Sequence, residues 1–375
     1  MSVSARREYI YSTSCSSDQL LSTLHPVVHS FPNITFFFLV SIFLDHYIRY
    51  RHRMSLSTMN TFILSASLLA SMVSAYTQVN VASPFMQKNI DPIVFPGSFT
   101  KSHLHSFYGS DAVTASTNKS AVLQAGCTAA DNANDLSVYW VPTVLYTADA
   151  GKTYAPVPVA RFSAYYNLGE TPAEVAFPQD LQMVAGDAKA MTKDKMIASA
   201  ASEWFCENDA ASPADANGFP SKGCSTHLQQ LLYFPQCVNE KTLETAYKDR
   251  RGGACPAGMK SMPQLRFSIR YDLRKVLPKG WTGTAPVKLA CGPAWCSHGD
   301  FINGWTPEAA TNMIATTKDK QHFSLVTGKL TKKNCTPKDA DPKNGVSDYA
   351  ASVAAMSKAV KRSWEVSRLA RFVEN

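Results

Sequence analysis

Nine cysteines stand in this chain of 375 residues, and all but Cys15 fall after residue 76. The remainder is an even set: Cys127, Cys206, Cys224, Cys237, Cys255, Cys291, Cys296 and Cys335. An even, irregularly spaced set reads as a disulfide framework of the kind made in oxidising compartments. No pair is spaced Cys-x-x-Cys, which argues against zinc ribbons and thioredoxin-like redox chemistry. Local bridges are expected, Cys206 with Cys224 and Cys237 with Cys255, each closing a short loop. Cys335 is expected to reach back to Cys127, Cys291 or Cys296.

The amino-terminal region points to the same compartment. Phe62 to Val73 is an apolar run of signal-peptide length, and Val73-Ser74-Ala75 ends in small residues as a cleavage site does, so the mature chain is expected to begin near Tyr76. The run is too short and too rich in serine to span a bilayer, which takes about 20 apolar residues, so no stable membrane insertion is expected. Residues 1–53 read as a non-native or unprocessed extension, with Met54 or Met59 as the true start and 54–75 as the signal peptide. If residues 1–53 belong to the protein, two short apolar segments around Arg49, Arg51 and Arg53 would give a membrane-retained alternative.

With 45% hydrophobic and 18% charged residues the chain has the means to build a core. The net charge is +8, of which residues 1–75 contribute +2, leaving +6 for the remainder. That balance suits acidic polysaccharides. The lysines and arginines are scattered along the sequence rather than gathered with aromatics, so nucleic acid is not an expected partner.

From Asp91 to about Gly328, short β-prone runs alternate with Gly, Pro, Asn and Asp clusters. This predicts a mainly β fold: an antiparallel β-sandwich-like domain over 76–335 with few short helices. Expected strands are His103 to Tyr108, Val138 to Tyr146, Val157 to Tyr166, Leu181 to Val184, Gln229 to Phe234 and Leu265 to Tyr271. A helix is possible over Ala188 to Ala201, and a second should start at Thr306-Pro307-Glu308, where Thr can cap and Pro fits the first turn. Residues 336–345, TPKDADPKNG, read as a linker, and 346–375 as a basic C-terminal helix. In that helix Tyr349, Val353, Met356 and Val360 recur at helical spacing, with Lys358, Lys361, Arg362, Arg368 and Arg371 adding charge. It is expected to dock on, or fray from, the main body.

There is no HExxH, GxSxG, Walker loop or GxGxxG. Three stretches stand out instead: 91–109 (DPIVFPGSFTKSHLHSFYG), 135–142 (DLSVYWVP) and 297–305 (SHGDFINGW). Together with Phe177-Pro178, Met183 to Asp187, Gly218-Phe219-Pro220, Phe234 to Cys237 and Cys255-Pro256, in this order, they resemble the secreted domain-of-unknown-function family numbered nineteen ninety-six. The resemblance covers roughly Asn89 to Trp305. It implies an extracellular protein, often fungal, whose relatives sometimes carry carbohydrate-binding modules, and it supplies no established reaction. The chain departs from the family pattern at Cys127-Thr-Ala-Ala130, at Cys237-Val-Asn-Glu240 and at Tyr247-Lys-Asp-Arg-Arg251, where relatives tend to carry a second cysteine, Cys-Trp-Asp-Gly and a His-containing segment.

The candidate chemistry is a cluster of histidines. His103 and His105, two apart in an expected strand, project to one face, and His-x-His is a workable two-point metal grip that His298 with Asp300 could close. One transition-metal ion, copper or zinc, is the cofactor such a set would take, and if the protein is an enzyme, metal-assisted oxidation or hydrolysis of polysaccharide at these histidines is preferred over a two-carboxylate glycosidase. The structural alternative leaves each imidazole bonded to backbone groups. Asp187 and Asp300, each in a Gly-containing motif, are the candidate acid–base carboxylates of a glycosidase, against the commoner role of aspartate in turns. Tyr108, Trp140 and Trp305 are the expected substrate-stacking aromatics, with a β core as their alternative place. Asn118 heads the sequon Asn118-Lys119-Ser120 and is the expected glycan site, ahead of Asn334. The expected partner is a polysaccharide or cell-wall surface, either acted upon or bound by a non-catalytic wall protein.

Overall fold

The computed structural model describes residues 76–167, 173–250, 252–315, 321–322, 326–331 and 335–358. Residues 1–75, over which a leader and an extension are expected, the second sequon at Asn334, and Val360, Lys361, Arg362, Arg368 and Arg371 lie outside the described residues. The two main sheets are carried by β1 (Tyr76–Val81), β2 (Met86–Lys88), β3 (His105–Gly109), β4 (Val138–Pro142), β5 (Val159–Asn167), β6 (Gln182–Gly186), β7 (Glu203–Cys206), β8 (Leu228–Tyr233), β9 (Gln264–Tyr271), β10 (His298–Ile302) and β11 (Gln321–His322). One sheet has the order β11-β1-β5-β9-β8-β7, the other β2-β3-β4-β10-β6. Pairing is antiparallel in both except where β11 lies parallel on β1. The fold is mainly β and sandwich-like, as the alternating runs predict.

Period-two alternation explains why these runs pair as they do. In β5, Phe162, Ala164 and Tyr166 are buried; in β9, Leu265, Phe267, Ile269 and Tyr271 are. They meet the inward side chains of the smaller sheet: Tyr108 stacks on Phe162 at 4.2 Å between ring centroids, and Tyr139 lies 5.3 Å from Phe162 and 5.7 Å from Phe267. The smaller sheet also has a buried outer side. There Met86, Phe107, Val138, Trp140 and Ile302 pack with Ile90 and Val113 from loops and with Leu123 of α1 (Ser120–Gln124), so His105, His298 and Asp300, which share that side, are roofed over rather than exposed.

Helices are few and short. α2 (Pro307–Ala315) starts at the predicted Thr-Pro-Glu signal. The helix expected over Ala188 to Ala201 is instead two single turns, Lys193–Lys195 and Ala198–Ala200. Its first half carries no apolar face, and Ala201 takes a left-handed conformation (φ 39°) that ends the second turn. The C-terminal helix α3 starts at Tyr349 and is described to Lys358. Its contact face is Tyr349, Ser352 and Met356; Val353 is 42% exposed, so the i, i+3, i+7 set, not the expected stripe through Val353, meets the body. Tyr349 approaches Tyr154, and Lys288 lies over both rings.

Four disulfides join Cys127 to Cys335, Cys206 to Cys224, Cys237 to Cys255 and Cys291 to Cys296. The two expected 18-residue loops are among them, and Cys335 takes Cys127 of its three expected partners. The segment 336–345, read from composition as a linker, is held against the body. Lys88 Nζ donates to the Asp339 carboxylate (2.7 Å) and to the carbonyl of Asp341, the Ala115 amide donates to Asp341 Oδ2, and Asn89 exchanges bonds with Val346.

Candidate metal centre

Three imidazoles from distant parts of the sequence meet on the outer side of the smaller sheet. His105 opens β3 and His298 opens β10, two strands away, with β4 between them. His105 pairs with Pro142 of β4, and His298 pairs with Gly186 of β6. The residues paired with the two histidines are thus a proline and a glycine. Gly186 is required there: its φ is +81°, and a Cβ would stand 2.1 Å from the Ser297 carbonyl oxygen. His103 is not in the strand as expected but in the loop before it, and its ring still lies 4.2 Å from that of His105 and 4.9 Å from that of His298.

Hydrogen bonding fixes which nitrogens are free to bind. His105 Nδ1–H donates to the Ile90 carbonyl (3.0 Å) and His298 Nδ1–H to the Cys296 carbonyl (2.8 Å). A carbonyl only accepts, so in both neutral rings the lone pair sits on Nε2. The two Nε2 atoms face each other at 3.4 Å. Burial pushes all three histidines toward the neutral form, His298 down to about 4 and His103 and His105 well below their ordinary value, with the neighbouring imidazoles adding to the effect at His103 and His105. Two unprotonated nitrogens thus confront one another in a buried site.

Asp300 completes the set. Ligand atoms of His105, His298 and Asp300 all lie within 4.8 Å of one another, and the three residues are 0%, 3% and 0% exposed. Neither Asp300 oxygen has a hydrogen-bond partner among the described residues, and His103 Nε2 also lacks one. Burial, then the charge of nearby Asp91, holds the Asp300 carboxyl well above the usual carboxylate range. A second grouping, His103 with Cys291 and His298, is less apt, because Cys291 Sγ is bonded to Cys296 and offers no thiolate.

This donor set fits a transition-metal ion. Two nitrogens held at about 2.0–2.1 Å by one tetrahedral ion stand about 3.3–3.4 Å apart, close to the observed Nε2 separation. The carbonyls on Nδ1 act as the outer partners that fix ring orientation in metal sites. Sequence reasoning missed those carbonyls and Asp91, because a backbone acceptor leaves no mark in composition.

The other expected site residues fall elsewhere. Asp187 follows Gly186, is half-buried and accepts the Lys189 amide with Oδ1, a turn role, although its charge is felt at His298. Tyr108, Trp140 and Trp305 are wholly buried, so their expected role as sugar-stacking rings is corrected to core packing. Trp140 stacks on Phe107, and Trp305 donates from Nε1 to Tyr166 Oη. Their flat apolar rings satisfy the sandwich instead of a ligand. Asn118 is exposed just before α1, leaving room for a glycan.

No curated protein and no solved structure matches the chain. The family described as a domain of unknown function (DUF1996) matches residues 91–305, a span that opens at the Asp91 turn near Asp300 and closes at Trp305. The chain belongs to the DUF1996 family.

Proposed function

We propose that this is an extracellular metal-binding protein that retains one transition-metal ion, zinc or copper, between His105, His298 and Asp300, with His103 flanking the site. The observation that carries the reading is the pair of Nε2 lone pairs facing each other at 3.4 Å beside an unpartnered buried carboxylate. A cation between them would satisfy all three groups at once. Four disulfides support an oxidising compartment, and no described helix is long and apolar enough to cross a membrane.

The burial of the ligands favours retention over turnover. A catalytic metal keeps a position open to substrate, and a two-carboxylate glycosidase needs its acids on either side of an accessible bond. Asp300 is sealed, and Asp187 is committed to a turn. The non-catalytic wall or adhesion protein is therefore preferred to polysaccharide oxidation or hydrolysis at this centre. Its partner, in this reading, is a cell-wall polysaccharide bound at another surface.

Elemental analysis of the secreted protein, purified without added metal, should find one zinc or copper ion per chain. After chelation, His105→Ala and His298→Ala should no longer take the ion up, while wild type regains it with a rise in melting temperature. A wild-type protein that carries no metal and gains no stability from either ion would overturn the proposal.

A further inference from the structure

The face of the six-stranded sheet that points away from the core carries a cationic and aromatic row. Four residues on adjacent strands lie in register: Gln78 of β1 opposite Tyr165 of β5, Tyr165 opposite Arg266 of β9, and Arg266 opposite Tyr233 of β8. At the usual strand spacing the row runs about 14 Å across the sheet. The Arg266 guanidinium lies over the Tyr165 ring at 4.2 Å and 5.7 Å from the Tyr233 ring centroid, so its planar fork is fixed between two aromatics. A second row runs beside it, in which Arg161 faces Arg270 and Arg270 faces Gln229.

The charge on this face is only partly balanced. Arg270 is paired with Glu207, but no described carboxylate pairs with Arg161 or Arg266, and their Nε–H groups are buried without partners. Between the rows Ser163 and Ser268 are buried and bonded to their neighbours, Ser163 Oγ donating to Asn80 Oδ1 and Ser268 Oγ accepting from Gln229 Nε2, so the longer arginine and tyrosine side chains form the accessible part of this face. From the Tyr233 end a groove of about 490 Å³ continues past Gln264, Gln236, Tyr247, Lys248 and Arg250, with Glu203 and Asp249 as its acidic members. A guanidinium held flat by stacking is suited to grip a carboxylate with two parallel hydrogen bonds, while tyrosine and glutamine offer partners to hydroxyls.

We infer that this sheet face and groove bind an acidic polysaccharide, a uronate-type chain whose carboxylates sit on Arg266 and Arg161. The inference rests on the polysaccharide reading above and is independent of the metal centre. A lone arginine row would serve any anion; a row that leads into a groove fits a chain.

The test uses the full secreted protein and two probes of similar length, polygalacturonate and a neutral β-glucan, with binding measured by calorimetry at low and physiological salt. Wild type should bind polygalacturonate, more weakly as salt rises, and the neutral glucan weakly or not at all. Arg266→Gln and Arg161→Gln should each lower polygalacturonate affinity about tenfold, the effect of losing one well-placed anchor. Arg274→Gln, beside a different groove, should leave affinity unchanged and controls for net charge. Melting curves of both test variants report folding, and Tyr165→Phe and Arg266→Lys, which keep shape or charge, separate stacking from bulk attraction. If wild type binds the acidic chain and Arg161→Gln, Arg266→Gln and Arg274→Gln all weaken it equally, the site assignment fails and the polysaccharide partner stands. If both probes bind alike, the acidic class fails. If neither binds, the inference and the polysaccharide reading fall together, leaving the metal reading intact.

Discussion

Asp300 separates a cation site from a merely buried polar cluster. In the metal-free protein its carboxylate is buried and unpartnered, which makes the charged form costly. Asparagine in its place removes that charge and brings an amide N–H that can donate to a facing imidazole. Without metal, Asp300→Asn should therefore stabilise the fold by about 1–3 kcal/mol at neutral pH, the usual scale for an unsatisfied buried group. With metal it should lose the greater part of the ion-induced rise in melting temperature. Thermal melts with a chelator and with saturating zinc measure both effects. A variant that still gains as much from zinc as wild type does would remove Asp300 from the ligand set. The histidines and this aspartate were legible in sequence because His-x-His and His-Gly-Asp are compact motifs. The tautomers were not, since they depend on carbonyls of Ile90 and Cys296 that only the fold brings near. Nor was the burial of Tyr108, Trp140 and Trp305, since a core ring and a sugar-stacking ring look alike in sequence.

At the scale of elements, strands were legible where one side is buried. The runs 157–166 and 265–271 alternate cleanly and become β5 and β9 with shifts of a residue or two at their ends. The stretch 188–201 misleads because alanine has high helix propensity, yet its larger apolar residues, Met191, Met196 and Ile197, are not spaced to share one helix face, and Met191 and Ile197 stay exposed. The segment 336–345 misleads for a different reason: prolines and charges suggest a free linker, whereas its aspartates are partners for a buried lysine. Lys88 is 3% exposed and its ammonium bonds Asp339 and the Asp341 carbonyl. Removing one partner of such a pair costs more than the pair itself contributes. Lys88→Ala should release this strap, seen as faster hydrogen exchange over 338–346, while Cys127–Cys335 still tethers its start. Unchanged exchange in that segment would show that the backbone bonds of Asn89 and Ala115 suffice. Lys88→Met, which keeps the apolar stem, should lie between the two.

Across the whole molecule, the second and third sequence motifs are joined by a chain of hydrogen bonds through the sandwich core. Trp305 Nε1–H donates to Tyr166 Oη (2.8 Å), Tyr166 and Tyr139 share a bond of 2.6 Å, and Tyr139 donates to Asp135 (2.5 Å), which also accepts the Ser137 amide. Asp135 and Trp305 are in addition bridged by backbone. Sequence shows the two motifs but not that one ends on the other, because more than 150 residues separate Asp135 from Trp305. The link makes stability depend on pH in a definite direction. Burial lifts the Asp135 carboxyl from 3.8 to about 7, against the opposing pull of its bonds to Tyr139 and Ser137. Between those values the folded chain holds a proton that the unfolded chain releases. The stability this proton brings is complete below 3.8, declines as pH rises and is gone above about 7. The gap corresponds to at most about 4 kcal/mol. Asp135→Asn cannot titrate, so relative to wild type it should gain stability steadily from pH 4 to pH 7. Urea unfolding at pH 4, 5.5 and 7 measures the difference, and because every other titrating group is common to both proteins, parallel profiles would mean that Asp135 keeps an ordinary carboxyl within the core.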